Sequence, residues 1–215
     1  MQLFANPQTL RNEILNISAT CGLDSQCFGK MLDYTIRLFE TQGLGKEYYG
    51  YHNITHELEV TYITLIVLKW KNIVSEIKDD DFKYLFAAAL FHDFDPQKSV
   101  DKPHEDNVVK FLTQDQNLAQ LFKDANLDIN IIMALILRTT YPWAGKLREH
   151  AEEQIAKCFD CSSITKDSKE MRDYYMRLGW LLSVVDRISG YALGDFTKAM
   201  DMAKKNAHAL AWHPS

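Results

Sequence analysis

Residues 85–95 read LFAAALFHDFD, and this stretch decides the fold. Seven apolar residues run without a break into the adjacent pair His92-Asp93. A run of that kind is a buried segment, and ionisable groups at its end lose hydration unless something pairs with them. Two other stretches offer partners. Upstream, residues 51–60 (YHNITHELEV) carry His52 and His56, four apart and so on one face if the segment is helical. Downstream, residues 178–190 (LGWLLSVVDRISG) set Asp186 among Leu181, Leu182, Val184, Val185 and Ile188. A carboxylate in that company needs a counter-charge. Arg187 is one answer, but neighbours in sequence point to different sides of a helix. A divalent cation compensates the charge more fully. The three stretches together read as one metal site.

Outward from residues 85–95, helical spacing dominates, and only 9 Gly and 5 Pro interrupt it. Residues 53–71 form the clearest pattern, with Asn53 or Thr55 as cap and His56, Val60, Ile63 and Val67 on one side. The helix over 82–91 ends near Asp95-Pro96, because the residue before a proline leaves the helical region. Helices are also expected over 103–112, with His104 in the first turn, and over 127–138, 168–191 and 195–210. Residues 161–167, short and polar, read as a mobile loop. The expected architecture is all-α, a single-domain bundle of roughly nine helices. Its core spans about 24–210, with an N-terminal helix (1–23) packed on it.

The chain has 215 residues, 47% of them hydrophobic, enough to bury one core. A net charge of -5 gives no basic footprint for a nucleic acid polymer or an anionic membrane. No apolar run is long enough to span a bilayer, and the N-terminus lacks the pattern of a signal peptide. Four cysteines suit a reducing, cytoplasmic setting. Cys158 and Cys161 form a lone CxxC without a second pair for zinc, and read as two ordinary thiols near a helix end.

The order and spacing of His56, His92-Asp93 and Asp186 resemble the H…HD…D signature of the HD-domain superfamily of metal-dependent phosphohydrolases, over residues 48–190. YHNITHELEV and LFAAALFHDFD are similar to the corresponding segments of the cyclic-nucleotide phosphodiesterase catalytic domain. KPHEDNVVKF (102–111) resembles the helix that follows the HD pair in such proteins. The resemblance implies an HD-type bundle in which His56, His92, Asp93 and Asp186 ligate a metal, Asp93 could bridge to a second, and His52 serves as general acid. Where the phosphodiesterases continue Asp-His-Pro-Gly, this chain continues Asp95-Pro96-Gln97-Lys98, so cyclic-nucleotide specificity does not carry over.

The expected activity is hydrolysis of a small phosphorylated molecule, a nucleotide first among them, by metal-hydroxide attack on phosphorus, with Asp93 and His52 as catalytic residues. Lys98, Lys102 and His104 are candidates for holding phosphate, and His104 alternatively for ligating a second ion. Two imidazoles and two carboxylates suit Mn, Fe, Ni, Co or Zn, with Mg at a carboxylate-rich second position, so one or two divalent ions per chain are expected. The expected partner is the small substrate, and a homodimer is left open. The competing readings are a non-catalytic metal-binding or ligand-sensing module and, further off, a di-iron oxygenase, which would need more ligands.

Overall fold

The computed structural model describes residues 6–41, 52–69, 77–97 and 104–192. Among these residues there are nine α-helices and no strand. They are α1 (Pro7–Thr20), α2 (Ser25–Thr41), α3 (Ile54–Lys69), α4 (Phe82–Phe91), α5 (Glu105–Gln114), α6 (Gln116–Asp124), α7 (Ile129–Leu137), α8 (Gly145–Cys161) and α9 (Lys169–Ala192). The all-α expectation holds. The expected helix over 195–210 lies outside the described residues.

The hub is α4. Nine of its ten residues are buried, all but Lys83. Helices α2, α3, α7 and α9 pack around it. Ala87, Ala88 and Ala89 carry little bulk and let those neighbours approach, while Phe86 and Phe91 fill the space between them. Phe86 meets Phe28 of α2 edge-on at 4.9 Å, and Phe91 meets Phe122 of α6 at 5.8 Å. Each such side chain contributes roughly 1.5–3 kcal/mol by leaving water. The continuous apolar run is thus explained: a helix covered on every side has no polar face to encode.

Both ends of α4 are fixed by contacts far away in sequence. A 3-10 turn, Asp79–Asp81, leads into it, and the buried Asp81 carboxylate accepts hydrogen bonds from Tyr174 (2.9 Å) and Tyr175 (2.8 Å) of α9. At the other end the chain turns after Phe91, with Phe94 N–H donating to the Phe91 carbonyl at 3.1 Å. Phe94 then wedges between Phe39 and Phe111, with ring centroids 4.9 and 4.8 Å away. His92 and Asp93 therefore leave the helix at a pinned corner rather than on a loose end.

Several expected boundaries move. Of the two expected caps of α3, Asn53 is the one used, its Oδ1 accepting from Thr55 N–H at 2.9 Å, so His52 lies before the helix and the four-residue spacing to His56 is not a helical one. His104 is the N-cap of α5 rather than a residue of its first turn. α7 begins at Ile129 because the Asp128 side chain caps it, accepting from Asn130 N–H at 2.9 Å. The turn expected to be mobile, 161–167, is tied down instead. Thr165 donates to the Phe159 carbonyl at 2.8 Å, and Arg172 reaches the carbonyls of Thr165 and Lys166 and the Asp160 carboxylate. Its Ser and Thr residues read as loop because their hydroxyls satisfy local backbone groups, but here those bonds hold the turn in place. Among the described residues no helix is long and apolar enough to cross a membrane.

Candidate metal centre

Three helices deliver four ligating atoms to one point. His56 lies in the first turn of α3, His92 and Asp93 follow the end of α4, and Asp186 lies in the last third of α9. Their ligating atoms all fall within 4.8 Å of one another. His56 Nε2 is 3.1 Å from Asp186 Oδ1 and 3.3 Å from Asp93 Oδ2. His92 Nε2 is 3.4 Å from each of the same two oxygens. An ion with ligand bonds of about 2.1 Å has ligand–ligand edges of about 3.0 Å in an octahedron and about 3.4 Å in a tetrahedron. The observed edges span that interval. His56 and His92, 130 and 94 positions from Asp186 respectively, meet it because α3 and α4 both pack on α9.

The electrostatics are those of a cation site. Burial on its own would lower the His56 pKa, but Asp186 and Asp93 outweigh it and raise the imidazole to about 9. His92 is likewise pushed well above its ordinary value, with Asp93 and Glu57 overcoming burial. Burial would raise Asp93, yet the charges of His92 and His52 and the bond to His56 bring it down to about 2. Asp186 is lowered by the same two histidine ligands against the same burial. Protons on two imidazoles thus stand in for the positive charge that two carboxylates require. One divalent ion replaces both. A further observation fits that ion: His92 Nε2 is fully buried with no hydrogen-bond partner among the described residues, while its Nδ1 lies 2.9 Å from the Ala89 carbonyl. With the Nδ1 proton kept and donated there, Nε2 is the atom that would give up its proton to an ion lying between the carboxylates. His56, His92, Asp93 and Asp186 can therefore hold a metal ion. Arg187 does not compete for Asp186; it donates to Ser183 Oγ, one turn back on α9.

The remaining sequence candidates fall at different distances. His52 sits at the edge of the cluster. Its Nε2 is 3.9 Å from Asp93 Oδ2, its ring stands edge-on to His56 at 5.8 Å, and its side chain is 17% exposed. It is beside the four ligands but not among them. His104 is exposed, and its backbone N–H, not its ring, is engaged, donating to Asp95 Oδ2 at 3.0 Å. His104 does not belong to the ligand group, so the expected ligand role finds no geometric support. Lys98 and Lys102 lie outside the described residues. Cys158 and Cys161 are free thiols, one buried and one exposed, and neither belongs to a ligand group among the described residues.

Sequence reasoning missed Glu57. This residue is completely buried on α3, with Oε2 2.9 Å from His92 Nδ1 and Oε1 accepting the Asp93 backbone N–H at 3.1 Å. One side chain thus serves both members of the pair, holding Asp93 by a hydrogen bond and placing its carboxylate beside His92. Burial raises its pKa to about 7 against the pull of His92. The signal was available: an acid beside His56, inside an apolar helix, needs a partner as much as Asp186 does. Asp95 was also missed. It is buried and accepts from Gln97 N–H (2.7 Å), His104 N–H (3.0 Å) and Asn107 Nδ2 (3.1 Å), stitching the corner after Asp93 to the start of α5.

Comparison with protein-family models, with curated proteins and with solved structures finds no match to this chain.

Proposed function

We propose that this chain is a metal-dependent phosphohydrolase of the HD type, acting on a small phosphorylated molecule, with a nucleotide as the leading class. The observation that carries the reading is the four-atom ligand cluster, in the H…HD…D order that resembles that superfamily, with His52 poised at its edge. A divalent ion, when bound, supplies positive charge for the phosphoryl oxygens and acidifies water. Mn, Fe, Co, Ni and Zn all suit two imidazoles and two carboxylates.

The chain's own residues divide the remaining work. Asp93 Oδ2 and Asp186 Oδ1 fix the charge at the centre, and Glu57 holds His92 and Asp93 in register with it. His52 Nε2 carries a proton to the leaving-group oxygen; its partial exposure lets it recover that proton from solvent. The partly exposed sides of Asp93 (16%) and Asp186 (24%) mark the direction from which a substrate enters.

The test is a panel of phosphomonoesters, phosphodiesters and nucleotides offered to protein loaded with each of the candidate metals. Hydrolysis of at least one class, abolished by Asp93→Ala, is expected. Fully loaded protein that hydrolyses none of them would leave a non-catalytic metal-binding module.

A further inference from the structure

Three stretches of this molecule put charge where the metal reading has no use for it: the His150–Asp106 pair between α5 and α8, the groove between α2 and α6 around Arg37, and a pair of arginines beside α9. In the first two the charge is offset by an acid, since His150 is paired with Asp106 at 2.9 Å and the groove around Arg37 is also lined by Asp33. The arginine pair is different.

Arg138 follows α7, and its Cβ sits over Gly179 of α9, where a side chain would collide with it at 2.7 Å. Gly179 thus lets Arg138 lie flat on α9. Arg187 starts two turns further along α9 and points back, its guanidinium donating to Ser183 Oγ. Gly179, Ser183 and Arg187 recur every four residues and so share one stripe of the helix. The Arg138 stem and the Arg187 guanidinium therefore lie over one stripe, close enough for the charge of Arg187 to act on Arg138. Each also stacks on a ring from the short segment 141–143: Arg138 over Trp143 at 3.8 Å, Arg187 over Tyr141 at 5.0 Å.

Neither guanidinium has a carboxylate partner among the described residues. The acid whose charge does reach Arg138, Glu152, is bonded to Arg148 at 2.8 Å. Burial first, and then the charges of Arg187 and Arg148, push the Arg138 pKa down. Holding two cations together costs free energy, and stacking on rings pre-orients planar guanidiniums for two-pronged contact with phosphate oxygens. The pair also lies near the metal centre. Ser183, under the Arg187 guanidinium, and Asp186 are three apart on α9, so their Cβ atoms are about 5–6 Å apart.

We propose that Arg138 and Arg187 form an anion subsite that holds a second phosphate of the substrate while the first lies at the metal centre. The substrate class is then a molecule with two or more linked phosphates, such as a nucleoside diphosphate or triphosphate, rather than a simple monoester. This inference rests on the phosphohydrolase reading for its substrate, but its binding test does not need turnover.

The experiment uses calorimetric titration of metal-loaded protein with methylenediphosphonate and with methylphosphonate, neither of which is a substrate for hydrolysis at phosphorus. The wild type should bind the diphosphonate at least tenfold more tightly. Arg187→Gln, a change at an exposed residue, should bring that preference near parity while metal content and methylphosphonate affinity stay unchanged. Arg138→Lys, which keeps the charge but loses the flat stack, should retain only part of it. A preference that survives in both variants belongs to the metal alone and overturns the subsite, as does a wild type with no preference. If the preference depends on the arginines but no phosphate ester is turned over, the subsite stands and the phosphohydrolase reading fails. If esters are hydrolysed but the preference ignores the arginines, the subsite alone fails.

Discussion

At the scale of single residues, His52, Asp93 and Glu57 do different work, and substitution separates them. Asp93 Oδ2 lies 3.3–3.4 Å from both histidine ligands, so Asp93→Ala should remove metal and activity together. His52 stands outside the ligand ring, so His52→Ala should keep its metal and slow turnover by about 10²–10⁴-fold, least for aryl phosphates whose leaving group needs little protonation. Metal content and rates on aryl and alkyl phosphates check both. A metal-free His52→Ala protein would make His52 a ligand, and a full rate on a poor leaving group would make it a bystander. Glu57→Gln preserves shape but removes the charge facing His92 Nδ1, and supports of this kind are worth about 10–100-fold in metal affinity. A competition titration against a chromophoric chelator measures it; unchanged affinity would reduce Glu57 to a packing residue. The ligands themselves were legible in sequence because each is an ionisable group at the end or middle of an apolar run. Glu57 is the same kind of group, but His56 beside it drew the attention, and its partner lies on another helix. A cap at Asn53 puts His52 outside the helix, so its spacing of four to His56 does not by itself say where the ring lies.

At the scale of elements, the site depends on how α9 sits against α4 and α7. Asp81, bonded to Tyr174 and Tyr175, clamps the start of α4 to α9. Hydrogen bonds to a charged group are worth about 1.5–3 kcal/mol, so Tyr175→Phe should cost about that much stability in urea denaturation. A loss below about 0.5 kcal/mol would show that the clamp adds nothing. Gly179 is the second contact. Alanine there gains about 1 kcal/mol of helix propensity but meets the Arg138 Cβ at 2.7 Å, and overpacking costs about 1–3 kcal/mol. The clash wins, so Gly179→Ala should be destabilised by about 1 kcal/mol and, by displacing α9, should weaken metal binding. Retained affinity would mean that α9 does not shift. The helices were readable from periodicity, and α4 from the length of its apolar run. The clamp was not, because it joins residues more than ninety positions apart and leaves no local pattern. The turn at 161–167 misleads for the opposite reason, since the Ser and Thr that suggest a loop also pin it.

At the scale of the whole molecule, the cluster couples metal, protons and stability. In the metal-free protein His56 is raised from 6.5 to about 9, so its contribution is fully present below pH 6.5 and lost as pH rises through 9. Asp93 is lowered from 3.8 to about 2, so its contribution is present above pH 3.8 and lost as pH falls through 2. The cluster therefore favours the metal-free fold most between about pH 4 and 6.5. Metal must displace the protons on His56 and His92, so affinity should rise with pH up to about 9, and binding at pH 7 should release protons. Calorimetry in buffers of different ionisation enthalpy measures the release, and thermal melts should show a larger metal-induced rise in Tm at pH 8 than at pH 6. No proton release would mean that the imidazoles are not ligands. All of this requires that His56, His92, Asp93 and Asp186 hold one ion between them. The most direct measurement is an anomalous difference map from crystals grown with Mn or Zn, recorded at the metal edge. A peak is expected about 2.0–2.3 Å from His56 Nε2, His92 Nε2, Asp93 Oδ2 and Asp186 Oδ1; no peak there, with Asp186 still hydrogen-bonded to a protonated His56, would mean that the four side chains hold no ion.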